Sequence, residues 1–316
     1  MKKISILIPC YNEQENVVAM SNAVVEEVTK NLSNYDYELV FIDNCSTDST
    51  RPLLREVCKK NHKIKAIFNA RDFGQFNSPY YGMIQLDGDC VIAMCCDFQD
   101  PVELLPVMVK KWEEGAKIVS CIKTQSDENK LVRFLRTCYY KLIKKMSSVE
   151  QIEHFTGFGL YDKSFIDVLK NLHDPTPFIR GIVAELGFKR VDLPYRQAKR
   201  RAGKTHNNWY SLFDAAMLSF TSYTKVGLRF ATIGGFIISF FSFMVAIGYT
   251  IYKLVNWNTF STGIAPLVIG VFFLGALQLF FIGFLGEYIM AMNNRIMNRP
   301  LVIEEERINF EEKDVH

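Results

Sequence analysis

Several things are scarce or missing from this chain, and each absence excludes something. Its 316 residues carry a formal net charge of only +3, too mild an excess to point to a nucleic-acid partner. The eight cysteines, Cys10, Cys45, Cys58, Cys90, Cys95, Cys96, Cys121 and Cys138, show no zinc-ligand pairing. Several lie inside apolar runs, which suits small buried thiols, and a chain of this size has no need of a disulfide framework. The reading is a reducing, cytosolic environment. The chain opens directly on a strand pattern, Ile4-Ser5-Ile6-Leu7-Ile8, without signal-peptide organisation, so no secretory leader is expected. Two stretches lack charge altogether, Phe230 to Tyr252 and Thr262 to Gly286. Each exceeds the roughly 20 residues needed to cross a bilayer. The link between them is short, so a helical hairpin is expected. Lys225 and Arg229 precede it and Arg295 and Arg299 follow it, whereas the link holds only Lys253. The positive-inside rule then places both termini and the rest of the chain on the cytoplasmic side.

What is present in the first two thirds is an alternation of strands and helices. Lys3–Pro9 reads as a continuous apolar strand, as in a sheet covered on both faces, Cys90–Met94 as a buried strand, and Tyr37–Ile42, Ile64–Phe68 and Lys117–Ile122 as further strands. Helical patterns lie between them, over Asn16–Asn31, from Asp48 as N-cap to about Lys60, to about Gln85, and over Val102–Glu114. This order is the signature of a mostly parallel sheet with helices on both faces. A helix opening at Phe178-Ile179-Arg180-Gly181 and a strand over Val191–Tyr195 continue it, and the tail after Leu301 is charged and expected to be poorly ordered.

The chemistry gathers at one strand end. Met94-Cys95-Cys96-Asp97-Phe98-Gln99-Asp100-Pro101 delivers Asp97, Gln99 and Asp100 to the carboxyl side of the sheet, where open α/β sheets bind ligands. Such oxygen ligands suit a hard cation, and an acidic turn before a helix accounts for them equally well. Asp100 looks more like the N-terminal acid of the following helix than a ligand. The basic stretch between Gln125 and Met146 is either a solvated face or a contact for an anionic membrane or substrate. The loop Lys199-Arg200-Arg201-Ala202-Gly203-Lys204-Thr205-His206 is either a surface turn or one that closes over phosphates. Asn208–Lys225 reads as an amphipathic helix for the membrane interface or for the face of the soluble domain. Glu287, just past the second apolar run, pairs with Arg229 or Arg295 or reaches the headgroups.

With these motifs in place, the chain resembles the family 2 glycosyltransferases of GT-A type, and more narrowly the polyprenyl-phosphate glycosyltransferases, from about Ile4 to Arg299. The resemblance implies a Rossmann-like, mostly parallel α/β GT-A domain over 1–207, an amphipathic interface helix over 208–228, a transmembrane hairpin over 229–291 with spans at about 230–252 and 262–286, and a cytosolic tail over 292–316. Ile8-Pro9-Cys10-Tyr11-Asn12-Glu13, the acidic turn at Asp43, and Arg71 with Phe73-Gly74 match the family's nucleotide-binding segments. It thereby implies donor-sugar contacts at Pro9, Tyr11, Asn12, Glu13, Asp43, Arg71, Gly74 and Asp97. Asp97 and Gln99 match the positions that hold Mg²⁺ or Mn²⁺, and Asp97, Arg200 and Lys204 would carry catalysis. Arg133, Arg136 and Arg180 would guide the lipid phosphate.

The implied reaction moves a hexose, glucose or N-acetylglucosamine first, from a nucleotide sugar, UDP-linked first, to undecaprenyl phosphate with inversion. The implied setting is the bacterial cytoplasmic membrane, in a homo-oligomer such as a tetramer. A flippase and a polytopic glycosyltransferase would act downstream in cell-envelope glycan modification. Two positions depart from the pattern. Cys95 stands where relatives often carry an acid, and Gly157 where many carry an aspartate proposed as base. A lipid monophosphate has a second pKa of ~6 and needs no base. A non-enzymatic scaffold that kept the fold is the competing class. A processive polysaccharide synthase is disfavoured, because the chain has no Arg-Trp pair.

Overall fold

In the computed structural model of the protein, residues 1–125, 152–202, 217–218, 226–255, 264–297 and 299–310 are described. The expected basic stretch with Arg133 and Arg136, the loop residues Gly203, Lys204 and Thr205, and nearly all of the 208–228 helix lie outside the described residues.

The first half follows the expected alternation. Strand β1 (Lys3–Cys10) leads to α1 (Val17–Asn31), β2 (Asp36–Asp43) to α2 (Thr50–Lys60), and β3 (Ile64–Asn69) to α3 (Gly74–Ile84). Then come β4 (Cys90–Ala93), a 3₁₀ turn at Val102–Leu104, α4 (Leu105–Glu113) and β5 (Ile118–Gln125). Strands β1 to β4 are buried on both faces because helices cover both, so they need no apolar–polar alternation. Ile4, Ile6, Leu7 and Ile8 are all fully buried, and each such side chain is worth about 1.5–3 kcal/mol in removed apolar surface. The expected helix Val102–Glu114 is split: Pro106 restricts the backbone, and the first turn stays 3₁₀ before the α-helix begins. Helix α2 begins at Thr50 with Ser49, not the expected Asp48, at the N-cap; Asp48 stands one residue earlier, its Oδ1 accepting from the Thr50 N–H at 2.9 Å.

Three elements were not expected. Phe155–Asp162 is a strand, β6, followed by the equally unexpected α5 (Lys163–Leu172), before the expected helix at Phe178 appears as α6 (Ile179–Glu185). After β7 (Arg190–Arg196), the charged segment Glu304–Ile308 forms β8. The sheet order is β7-β5-β6-β4-β1-β2-β3-β8. Pairs β1–β2, β1–β4, β2–β3 and β5–β7 are parallel, whereas β6 runs antiparallel to β4 and β5, and β8 antiparallel to β3. The expectation of a poorly ordered tail is therefore corrected. Leu301, Val302 and Phe310 pack against the sheet domain, Ala70 donates to the Ile303 carbonyl at 2.9 Å, and Asn309 Nδ2 donates to the Cys58 and Ile64 carbonyls.

Asp162 knots the far side of the sheet. Its Oδ2 accepts from Trp112 Nε1 at 2.7 Å, its Oδ1 from Lys117 Nζ at 3.0 Å and from the Ser164 N–H at 3.0 Å, which caps α5.

Two long helices, α7 (Val226–Val255) and α8 (Ile264–Ile296), cover the two uncharged stretches. Among the described residues, one segment is long and apolar enough to cross a membrane, Phe273–Ile296. A shorter apolar segment among the described residues, Thr232–Val245, lies in α7. Phe236, Phe240 and Phe243 on α7 and Leu267, Phe273, Leu279 and Phe280 on α8 are each more than half exposed.

Candidate active site

The carboxyl ends of β1, β2, β3 and β4 meet in one rim, and the turns leaving them are laced together. Three of these turns hold a residue in the left-handed region: Asn12 (φ 54) after β1, Cys45 (φ 66) after β2 and Phe98 (φ 60) after β4. Side chains with a β-carbon pay for that conformation, and it persists where surrounding bonds over-determine it. Those bonds are visible. Asn12 N–H donates to Ser46 Oγ at 2.8 Å, Asn12 Oδ1 accepts from the Thr47 N–H at 2.8 Å, and Glu13 N–H donates to Thr50 Oγ1 at 2.9 Å. Asn12 is thus a strut between two turns. Pro9, the penultimate residue of β1, is half-buried, as is Tyr11 just past the strand.

Asp43 ends β2 with no exposed surface. Its Oδ2 accepts from Arg51 Nε at 2.6 Å and from the Ser46 N–H at 3.1 Å. Its Oδ1 is buried with no partner among the described residues. An unpaired buried acceptor costs about 1–3 kcal/mol. Beside it, Asn44 Oδ1 accepts from Asn69 Nδ2 and from the Phe73 N–H, and Asp72 Oδ1 accepts from Asn44 Nδ2 and from the Gly74 N–H. Gly74 (φ 88) opens α3 in a conformation that favours glycine. Arg71 is exposed and lies over the Phe73 ring at 4.1 Å.

Asp97 follows β4, nearly buried. Its Oδ1 accepts from the Gln99 N–H at 3.1 Å and its Oδ2 from Arg200 Nε at 3.0 Å. Arg200 is a fork, since its NH2 also reaches Glu13 Oε1 at 3.0 Å, and Glu13 Oε2 accepts from Asn16 Nδ2 at 2.6 Å. The two backbones are zipped as well: Ala198 N–H donates to the Gln99 carbonyl and Arg201 N–H to the Asp97 carbonyl. The sequence brought Asp97, Arg200 and Glu13 forward for separate roles, and the structure joins them in one network.

Asp100 is corrected. It does not cap a helix. Its Oδ2 accepts from the Cys95 N–H at 2.9 Å and its Oδ1 from Tyr195 Oη at 3.0 Å, deep in the fold. Burial, reinforced by nearby Asp97, pushes its carboxyl up to about 6 against those two hydrogen bonds.

Among the described residues, no group of three or more His, Cys, Asp or Glu side chains could hold a metal. The chain offers one carboxylate, Asp97, and the adjacent Gln99. That donor set fits a hard cation only as Mg²⁺-type sites are often built, with few protein ligands and the remainder from substrate phosphates and water. Arg200 now occupies the carboxylate oxygen such a cation would share.

Gly157 has φ 103, and a β-carbon there is strained. Arg180, in the first turn of α6, follows Ile179, whose Cγ2 would lie 3.6 Å from a β-carbon at Gly157. Sequence reading missed Arg51 and Asn69. Arg51 carried no signal, because its partners lie in β2, β3 and the distant β8.

A mostly parallel α/β sheet whose strand-end rim gathers Asp43, Asp97 and Arg200 defines a GT-A-like glycosyltransferase domain. Residues 5–169 match the family described as Glycosyl transferase family 2, and the chain belongs to that family. It is 30% identical over 302 residues to the SfII prophage-derived bactoprenol glucosyl transferase of Shigella flexneri, covering 95% of this chain and 97% of the relative. It is 28% identical to the prophage bactoprenol glucosyl transferase homolog of Escherichia coli, covering 95% and 98%. Among solved structures, it is 15% identical to the mannosyltransferase PcManGT from Pyrobaculum calidifontis in complex with GDP-Man and Mn²⁺, with a TM-score of 0.45 over 94% of this chain and 87% of that one.

Proposed function

We propose that this glycosyltransferase moves a hexose, glucose or N-acetylglucosamine, from a UDP-sugar to undecaprenyl phosphate or a similar polyprenyl phosphate. The observation that carries the reading is the strand-end rim, where an unpaired buried Asp43 oxygen lies at one strand end and the Asp97–Arg200–Glu13 network at another. The full-length similarity to curated bactoprenol glucosyl transferases supports the acceptor class.

Asp43 Oδ1 accepts the imide N–H of the base, and Arg71 and Gly74 flank the nucleotide. Asp97 and Gln99 would hold Mg²⁺ or Mn²⁺, which would supply positive charge to the diphosphate of the leaving group. Arg200 and Lys204 add fixed positive charge to the same oxygens, which favours departure of UDP. The lipid phosphate is already largely dianionic at neutral pH, with a second pKa of ~6, so it needs no base. Its oxygen attacks the anomeric carbon as the bond to the UDP oxygen breaks, inverting that carbon. Arg180 orients the phosphate on the chain's side, with Arg133 and Arg136 as further guides. The exposed apolar faces of α7 and α8 are read as a two-span hairpin in the cytoplasmic membrane, with the catalytic domain and both termini on the cytoplasmic side.

The test incubates purified protein with undecaprenyl phosphate, Mn²⁺ and labelled UDP-glucose, UDP-N-acetylglucosamine, UDP-galactose or GDP-mannose, and separates the lipid product. One UDP-sugar should yield a labelled lipid, and Asp97→Asn should abolish it. No product with any donor would sink the reading.

A further inference from the structure

The C-terminal strand β8 closes the edge of the sheet at the nucleotide end, and one side chain connects it to Asp43. Arg51, in the first turn of α2, spends its guanidinium on three partners. Nε donates to Asp43 Oδ2 at 2.6 Å, one terminal nitrogen to Glu305 Oε2 at 2.8 Å on β8, and the other to the Asn69 carbonyl at 2.5 Å at the end of β3. The guanidinium also lies over the Phe68 ring at 5.4 Å. Burial alone would lower its affinity for the proton, but the Asp43 and Glu305 carboxylates outweigh that and raise it. The Arg51 side chain is 15% exposed and that of Asp43 is 0% exposed, so this is an interior pair, whereas Glu305 at 56% sits on the rim. An arginine fork with every arm used has one orientation, and it fixes which Asp43 oxygen is occupied and which is left unpaired.

We infer that Arg51 and Glu305 are positioning residues for the donor nucleobase: β8, through Glu305 and Arg51, aims the unpaired oxygen of Asp43 at an N–H of the base. The inference rests on the proposed assignment of Asp43 to the base. A fixed carboxylate acceptor favours bases that present a ring N–H, uracil and guanine, over cytosine, whose matching ring nitrogen is itself an acceptor. The neighbouring pair on the same strand serves as a built-in control. Arg55 meets Glu306 at 2.6 Å and helps hold β8 down without touching Asp43.

The experiment measures binding of UDP, CDP and inorganic pyrophosphate, each with Mn²⁺, to the full chain in detergent by calorimetry. Glu305→Gln should weaken UDP about threefold, as expected for loss of a rim ion pair. It should also narrow the preference for UDP over CDP, and leave pyrophosphate unchanged. Arg51→Met should weaken UDP by about tenfold or more. Because that change also strips a buried carboxylate of its cation and lowers fold stability, the Glu305→Gln arm carries the test alone, with Glu305→Asp expected to restore part of the loss. Glu306→Gln should bind UDP as the unaltered protein does. The inference is overturned if Glu305→Gln binds UDP normally, or if Glu306→Gln weakens it equally, which would make the effect one of strand docking. If Asp43→Asn itself leaves UDP affinity unchanged, the base assignment falls and the inference with it.

Discussion

Asp162→Asn tests how one carboxylate holds four elements together. The carboxylate accepts from Trp112 on α4, Lys117 next to β5 and Ser164 on α5, while its backbone ends β6. Burial pushes its pKa up, but the hydrogen bonds from Ser164, Trp112 and Lys117 more than reverse this and bring it to about 2. Against about 3.9 in an unfolded chain, that gap corresponds to roughly 2.6 kcal/mol of stability. Because the folded value is the lower one, the contribution is fully present above about pH 5 and is lost as pH falls toward 2, with about half gone near pH 3. Urea unfolding in detergent, followed by tryptophan fluorescence, should show Asp162→Asn less stable by about 2–3 kcal/mol at pH 7. The difference from the unaltered protein should shrink by about 1.2 kcal/mol at pH 3, because the unaltered protein then loses the stabilisation from a charge the variant never had. An equal difference at the two pH values would refute the electrostatic account and leave only packing.

Two further changes probe the neighbourhood of the site. A β-carbon at Gly159 would lie 2.3 Å from the Val119 carbonyl oxygen, so Gly159→Ala must pry β5 from β6. It should cost at least about 3 kcal/mol, read as a lowered Tm, and a Tm within a degree of the original would contradict the packing. Arg200→Lys keeps the charge but cannot reach Asp97 and Glu13 with one planar fork. The transfer rate should fall about tenfold or more while Tm holds near its original value, and an unchanged rate would show that a point charge suffices.

The strand-end chemistry was legible because β1, β2 and β4 are largely apolar runs that stop at Cys10, Asp43 and Ala93. A doubly covered strand advertises itself, and the acids just past it are then placed by topology. Strand β6 was hidden because Gly157 and Gly159 interrupt an aromatic stretch that gives no clear strand pattern. Gly159 is there because β5 passes too close for any side chain. Strand β8 was hidden for the opposite reason. Glu304-Glu305-Glu306-Arg307 looks like a solvated tail, and the cations that draw it in, Arg51 and Arg55, sit some 250 residues earlier. The Arg200 network was half legible: each member was singled out, but no pattern in the chain says that one arginine holds both carboxylates.

Strand β8 also sets an order of events during synthesis. Seven of the eight strands are complete by Arg196, but the eighth emerges only after α7 and α8, about a hundred residues later. At ribosomal speeds of roughly 5–20 residues per second, β3 stands as an open edge for roughly 5–20 seconds while the apolar helices are being made. An unpaired edge is a template for wrong pairing. A ribosome stalled between α7 and β8 would therefore leave a nearly finished domain whose nucleotide end is uncapped, and quality-control machinery would meet it as an aggregation-prone intermediate.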